Sequence, residues 1–151
     1  IKNFALSFTN TVADIKNFNK ILKTENKIYK LETSRAIKGL KKILNAGNQF
    51  LIDRGDLSKE VEIEKIPYIQ RKIIKNSKNF KKKKQIFIAT NLLESMVNNI
   101  YPTRAEANDI FNCLELGASG LVLAAETAIG KHPIEAITFL RKMIKEYQRN
   151  A

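Results

Sequence analysis

Lys30-Leu31-Glu32 places a cation and a carboxylate two residues apart in the β-propensive stretch Ile28-Tyr29-Lys30-Leu31-Glu32. Side chains alternate along a strand, so Lys30 and Glu32 project from one face near its C-terminal end. Read alone, the pair serves equally as a surface ion pair, since Lys and Glu are usually exposed. Arg54-Gly55-Asp56-Leu57 follows the next strand-like run, and by itself it is an ordinary glycine-containing turn. Gly55 has no Cβ, which permits close approach of a ligand to the main chain. Two carboxylates from separate strands, Glu32 and Asp56, would make a hard-oxygen site of the kind Mg2+ uses with waters and substrate oxygens. Thr90 ends the apolar run Ile86-Phe87-Ile88-Ala89. A hydroxyl there could take part in a proton-relaying water chain, or could be purely structural.

The elements that must position these groups follow from periodicity. Phe4–Phe8 reads as a short buried strand, followed by Val12, Ile15, Ile21 and Leu22 at helical spacing. The strand at residues 28–32 precedes a helix with Ile37, Leu40, Ile43 and Leu44 on its core face, stopped by Gly47. A third strand, Gln49–Asp56, enters a glycine turn, and Ile66, Ile69, Ile73 and Ile74 mark the returning helix, with Pro67 in its first turn. The fourth strand is Gln85–Thr90. Thr103-Arg104-Ala105-Glu106 has the form of a capping box opening a helix with Ala107, Ile110, Phe111 and Leu114 inward, before Gly117. Gly120–Ala124 is the fifth strand, and Pro133 starts a last helix built on Ile134, Ile137, Leu140, Met143 and Ile144. Strands apolar on both faces and alternating with helices, about 30 residues per unit, require a parallel sheet covered by helices. That is an α/β fold, and periodicity alone admits either an open doubly wound sheet or a barrel, although no glycine-rich dinucleotide turn follows the first strand.

With 151 residues and 44% hydrophobic content the chain can bury a real core, and one domain is expected. Cys113, the single cysteine, falls in a helical pattern, reads as a small buried hydrophobe and suits a reducing cytosol. No run approaches the roughly 18 apolar residues of a membrane span, and the start at Ile1 lacks a signal-peptide core, so a cytoplasmic, soluble protein is expected. The start without Met leads us to expect residues ahead of it. The net charge of +12 comes overwhelmingly from Lys, in a chain also rich in Ile and Asn, the trio that A/T-rich codons supply. The one local cluster, Lys81–Lys84, reads as a solvated loop because no aromatic or Arg interleaving accompanies it, and nucleic acid is not an expected partner.

Three strings in order, Ala89-Thr90-Asn91-Leu92-Leu93-Glu94-Ser95-Met96, Pro102-Thr103-Arg104-Ala105-Glu106 and Glu126-Thr127-Ala128-Ile129-Gly130, resemble successive signatures of pyruvate kinases. Lys30-Leu31-Glu32 resembles the family's Lys-Ile-Glu, Arg54-Gly55-Asp56-Leu57 its Arg-Gly-Asp-Leu, and Ser7-Phe8 the start of its Ser-Phe-Val-Arg. The resemblance extends over essentially the whole chain. It implies a parallel (β/α)8 TIM barrel, a fold of about 250 residues, of which residues 1–151 would supply strands four to eight, without the lid or the C-terminal regulatory domain. An arc of five strands would expose two sheet edges, and is expected to be aggregated or molten alone.

The resemblance further implies that Lys30 stabilises the phosphoryl group in flight and the developing enolate. It implies that Glu32 and Asp56 bind a divalent metal, Mg2+ or Mn2+, that Gly55 lets main-chain amides reach the substrate carboxylate, and that Thr90 sits by the carbon receiving a proton. A K+ site is implied as well, its ligands outside this chain. The expected reaction is phosphoenolpyruvate and ADP to pyruvate and ATP, in glycolysis, by a homo-oligomer completed by the rest of the barrel. The chain departs from the family pattern at Asn10 for Arg, Asn91 for Gln, Ser58 for Gly, and Ala124-Ala125 for Ser-Gly, while His132 stands where Tyr is common and reads as structural. The alternative is an inactive truncated barrel kept as a basic structural or RNA-associated module.

Overall fold

The computed structural model describes residues 1–150, in two compact units, residues 1–87 and 88–150. The first opens with β1 (Asn3–Leu6) and α1 (Val12–Ile21), the latter capped reciprocally by Thr11 and Asp14. β2 (Asn26–Leu31) pairs parallel with β1, Leu6 opposite Tyr29. α2 (Ser34–Lys38) and α3 (Leu40–Ala46) follow, then β3 (Gln49–Asp53), parallel to β2 with Lys30 opposite Leu51 and Leu31 opposite Ile52. α4 (Arg54–Glu60) starts directly on the end of β3, and α5 (Ile66–Ser77) returns the chain, with Pro67 in its first turn. β4 (Gln85–Ala89) begins beside β3, its Gln85 N–H donating to the Asn48 carbonyl at 2.9 Å. Within this unit the strands lie side by side in chain order.

The core of this unit is built where the expected apolar faces meet. Leu31, Phe50, Ile52, Ile43, Leu44, Ile73 and Ile74 are all buried, and Tyr29 stacks between Phe18 and Phe50 with ring centroids 6.3 and 5.7 Å away. A Cβ on Gly47 would lie 2.7 Å from ring atoms of both Tyr29 and Phe50, so glycine is what lets α3 turn into β3 against these rings.

Four local expectations change here. The helix carrying Ile37 and Leu40 is two helices, parted at Gly39, which lacks the side chain that would favour continuing the first. Ile21 is exposed rather than inward, because α1 is short and ends there. Arg54-Gly55-Asp56 is not a loop turn but the first turn of α4, since Asp53 supplies the N-cap. The Lys81–Lys84 run is not uniformly solvated: Lys81, Lys82 and Lys83 are exposed, but Lys84 is buried. Its ammonium donates to the Gly47 carbonyl at 2.8 Å and lies 5.1 Å from the Phe80 ring centroid.

In the second unit, β4 ends in Ile88 and Ala89, and a short turn of 3-10 helix at Glu94–Val97 leads to α6 (Arg104–Leu116). The capping box forms as expected between Thr103 and Glu106, and Gly117 ends the helix at φ 101°, a left-handed position that suits glycine. β5 (Gly120–Val122), α7 (Ala125–Ala128) and α8 (Pro133–Asn150) complete it. Ile110, Cys113, Ala136 and Leu140 are buried, and Phe111 meets Tyr147 edge to face with centroids 5.5 Å apart. Ile134 and Ile137, expected inward, are exposed, since the stripe of α8 that packs runs through Ala136 and Leu140. Among the described residues no helix is long and apolar enough to cross a membrane.

Candidate active site

β2 and β3 pair in parallel as far as Leu31 opposite Ile52, and the next residue of each chain segment, Glu32 and Asp53, brings its carboxylate to within 4.8 Å of the other. Residues directly opposite in a parallel pair share a face, so Lys30, Glu32 and Asp53 all project to one side while Leu31 and Ile52 enter the core on the other. Lys30 Nζ stands 2.9 Å from Glu32 Oε2, 2.9 Å from Asp53 Oδ2 and 4.0 Å from Asp56 Oδ2. Three carboxylates, from Glu32, Asp53 and Asp56, thus present oxygens that all lie within 4.8 Å of one another.

Main-chain amides and a neighbouring lysine hold the carboxylates in place. The Phe8 amide, at φ 52° after β1, donates to Glu32 Oε1. Thr33 caps α2 through the Ala36 N–H and donates its hydroxyl to Asn10, one of the departures from the family pattern. Asp53 Oδ1 accepts the Asp56 N–H at 3.2 Å as the N-cap of α4, so one carboxylate orients the turn that carries the next. Asp56 also pairs with Lys59 at 2.8 Å.

The electrostatics follow from these contacts. Burial pulls the Lys30 pKa down, but the carboxylates of Glu32 and Asp53 outweigh it and hold the ammonium above its ordinary value. The Lys59 ammonium holds Asp56 below the usual carboxylate range, with Lys30 adding to it. Glu32 is fully buried, and its Oε2, although an ion pair with Lys30 by distance, receives no hydrogen bond. A buried carboxylate is costly unless a cation stands beside it, as Lys30 does and as a divalent cation would. The hard-oxygen donor set, the spacing and this oxygen together fit a divalent cation such as Mg2+ or Mn2+.

Of the residues singled out from sequence, Lys30, Glu32 and Asp56 converge, and Gly55 lies in the first turn of α4 beside Asp56. Thr90 belongs to the second unit and is not among these contacts. It leaves β4 at φ 69°, followed by Asn91 at φ 53°, and donates its hydroxyl to the Ala89 carbonyl at 2.6 Å. A β-branched residue in the left-handed region costs on the order of 1–3 kcal/mol and concentrates where function demands it. Asn91 answers Glu94 through its amide at 2.8 Å.

Two residues were not singled out from the sequence. Asp53 is the polar end of an otherwise apolar run, a signal that marks the residue without saying what it meets. Glu126, known only as a motif letter, is buried and accepts the Leu93 and Ala124 amides at 3.0 and 2.8 Å, tying the segment after Thr90 to the start of α7.

The pyruvate kinase barrel-domain family model matches residues 1–137. The chain is similar to the pyruvate kinase of Thermotoga maritima, 41% identical over 99% of this chain and 32% of that protein. It is also similar to those of Methanocaldococcus jannaschii, 40% identical over 93% of this chain and 32% of that protein, and Mycoplasma genitalium, 37% identical over 97% and 29%. The chain spans about a third of the length of these curated relatives. A cluster that gathers Lys30, Glu32 and Asp56 at the ends of parallel strands, in a sequence matched over nearly its whole length, places this chain in the pyruvate kinase family.

Proposed function

We propose that residues 1–150 carry part of the active site of a phosphotransferase that moves the phosphoryl group of phosphoenolpyruvate to ADP, giving pyruvate and ATP. The observation that carries this reading is the Lys30 ammonium held by Glu32 and Asp53 next to Asp56. Glu32 and Asp56 would hold the divalent cation, which supplies positive charge to the phosphoryl and enolate oxygens. An ADP β-phosphoryl oxygen attacks phosphorus as the bond from phosphorus to the enol oxygen breaks. Lys30 then faces charge that develops on the equatorial phosphoryl oxygens and the departing enolate, where a fixed ammonium lowers the barrier. The first turn of α4, with Gly55, offers main-chain approach to the substrate carboxylate. The enolate takes a proton at its methylene carbon, and the Thr90 hydroxyl serves the water chain that delivers it. The remainder of the barrel, a K+ site outside this chain and assembly into an oligomer belong to the same reading.

The test uses the full-length protein. Lys30→Met should lower kcat by about 100-fold or more while changing metal affinity little. Glu32→Gln and Asp56→Asn should each raise the Mg2+ concentration needed for half-maximal rate by at least about tenfold. Normal turnover in Lys30→Met, or unchanged Mg2+ dependence in both carboxylate variants, would overturn this assignment of the site, and a full-length wild-type protein that transfers no phosphoryl group would be the catalytically inactive barrel.

A further inference from the structure

We propose that Asp53 is a positioning residue for Lys30, retaining the ammonium in the site when Glu32 and Asp56 are given over to a divalent cation. The inference rests on the pyruvate kinase reading above and concerns a residue that the Lys-x-Glu and Arg-Gly-Asp-Leu strings do not include. Lys30 Nζ lies at equal distance, 2.9 Å, from Glu32 Oε2 and Asp53 Oδ2. The two partners differ in what else they can do. Glu32 Oε1 accepts the Phe8 amide, leaving Oε2 as a buried oxygen with no hydrogen bond, suited to a cation. Asp53 Oδ1 accepts the Asp56 amide, so its carboxylate is locked in rotation by the helix it caps and keeps Oδ2 aimed at Lys30.

A dication on Glu32 Oε2 repels the ammonium next to it. Lys is flexible, strongly hydrated and here one-fifth exposed, so without a second anchor its head would leave for water. Asp53 is that anchor. Charge agrees with this role: three carboxylates against Lys30 and Lys59 leave the cluster at a formal −1, so it attracts a divalent cation while Lys30 stays charged.

Asp53→Asn is the informative substitution, because asparagine keeps the volume and the N-cap acceptor and removes only the charge. In the full-length protein it should lower kcat at saturating Mg2+ by about 30-fold, and leave the Mn2+ dissociation constant, read by electron paramagnetic resonance, within about fivefold. Added to Lys30→Met it should cost nothing further, since a residue acting through Lys30 is non-additive with its loss. Acylation of Lys30 in the Mn2+-loaded protein, followed by peptide mass spectrometry, should accelerate at least about tenfold in Asp53→Asn, because the ammonium is released to solvent. A Mn2+ constant raised about 100-fold with kcat restored by excess metal would make Asp53 a direct ligand and overturn the proposal. So would unchanged kcat and unchanged Lys30 acylation. If Lys30→Met itself turns over normally, the role given to Lys30 under the proposed function fails first; if it is inactive while Asp53→Asn is normal, this inference alone fails.

Discussion

The buried ammonium of Lys84 donates to Gly47 O and lies near Asn48 Oδ1 at 3.4 Å, at the junction where α3 ends and β3 begins. Burial, with Lys82 adding repulsion, lowers its pKa. Its three predecessors are exposed, so one run of identical residues holds two different roles. Replacing Lys81, Lys82 and Lys83 by Gln should shift Tm by no more than about 1 °C, as surface changes usually do. Lys84→Met leaves the Gly47 carbonyl without this donor and should cost about 1–3 kcal/mol, read by chemical denaturation. Equal, small effects at all four positions would show that the Lys84–Gly47 hydrogen bond contributes nothing to stability. Thr90 is the other residue whose place the sequence could not supply. Its letter and motif were legible, but a positive φ is a backbone property that no side-chain pattern encodes.

At the scale of elements, α6 is fixed by one carboxylate. Glu106 accepts the Thr103 amide at 2.7 Å, the Ser95 amide at 2.7 Å and the Ser95 hydroxyl at 2.6 Å, so the capping box also staples the Glu94–Val97 turn to the helix start. Burial pushes the Glu106 pKa up, and these donors more than reverse it, leaving it below 4.5. A carboxylate with a depressed folded pKa stabilises fully above its unfolded value, and that contribution disappears as pH falls through the folded one. Glu106→Gln should therefore lower Tm at pH 7, and the gap to wild type should close as pH falls below about 4.5. A gap independent of pH would assign the loss to packing rather than charge. Thr103→Ala removes the other half of the box and should cost about 1 kcal/mol. This helix was fully legible, since caps and periodicity are local. The break at Gly39 and the helical start at Arg54 were not, because the first weighs one glycine against a continuing apolar pattern and the second needs Asp53 to be recognised as a cap.

For the molecule as a whole, a net charge of +12 goes with a local concentration of opposite sign, the Glu32, Asp53 and Asp56 cluster. Positive charge of this kind binds polyanions through counterion release and loses them steeply with salt. Binding of a fluorescent single-stranded RNA to the full-length protein is expected only at low salt, with a dissociation constant weaker than about 10 µM at 0.15 M NaCl. Tight binding at that salt, unaffected by loss of Lys81–Lys83, would favour the RNA-associated scaffold instead. Exposed Ile134 and Ile137 show a related limit: helical periodicity states which face is apolar, not whether this chain covers it.

The sequence by itself determined the alternation of strands and helices, the parallel α/β class, the capping box, the family, and the convergence of Lys30 and Glu32, because all of these depend on local order and spacing. Tertiary structure alone decided that Asp53 shares the site, because its partner Glu32 is 21 positions away and the two meet only through the register of β2 on β3. It likewise decided that Glu126 reaches back to Leu93, that Lys84 is buried, and that Glu32 Oε2 is an anion shut away from water. Composition cannot tell a solvated charge from a buried one, since burial is set by neighbours that folding brings from elsewhere in the chain.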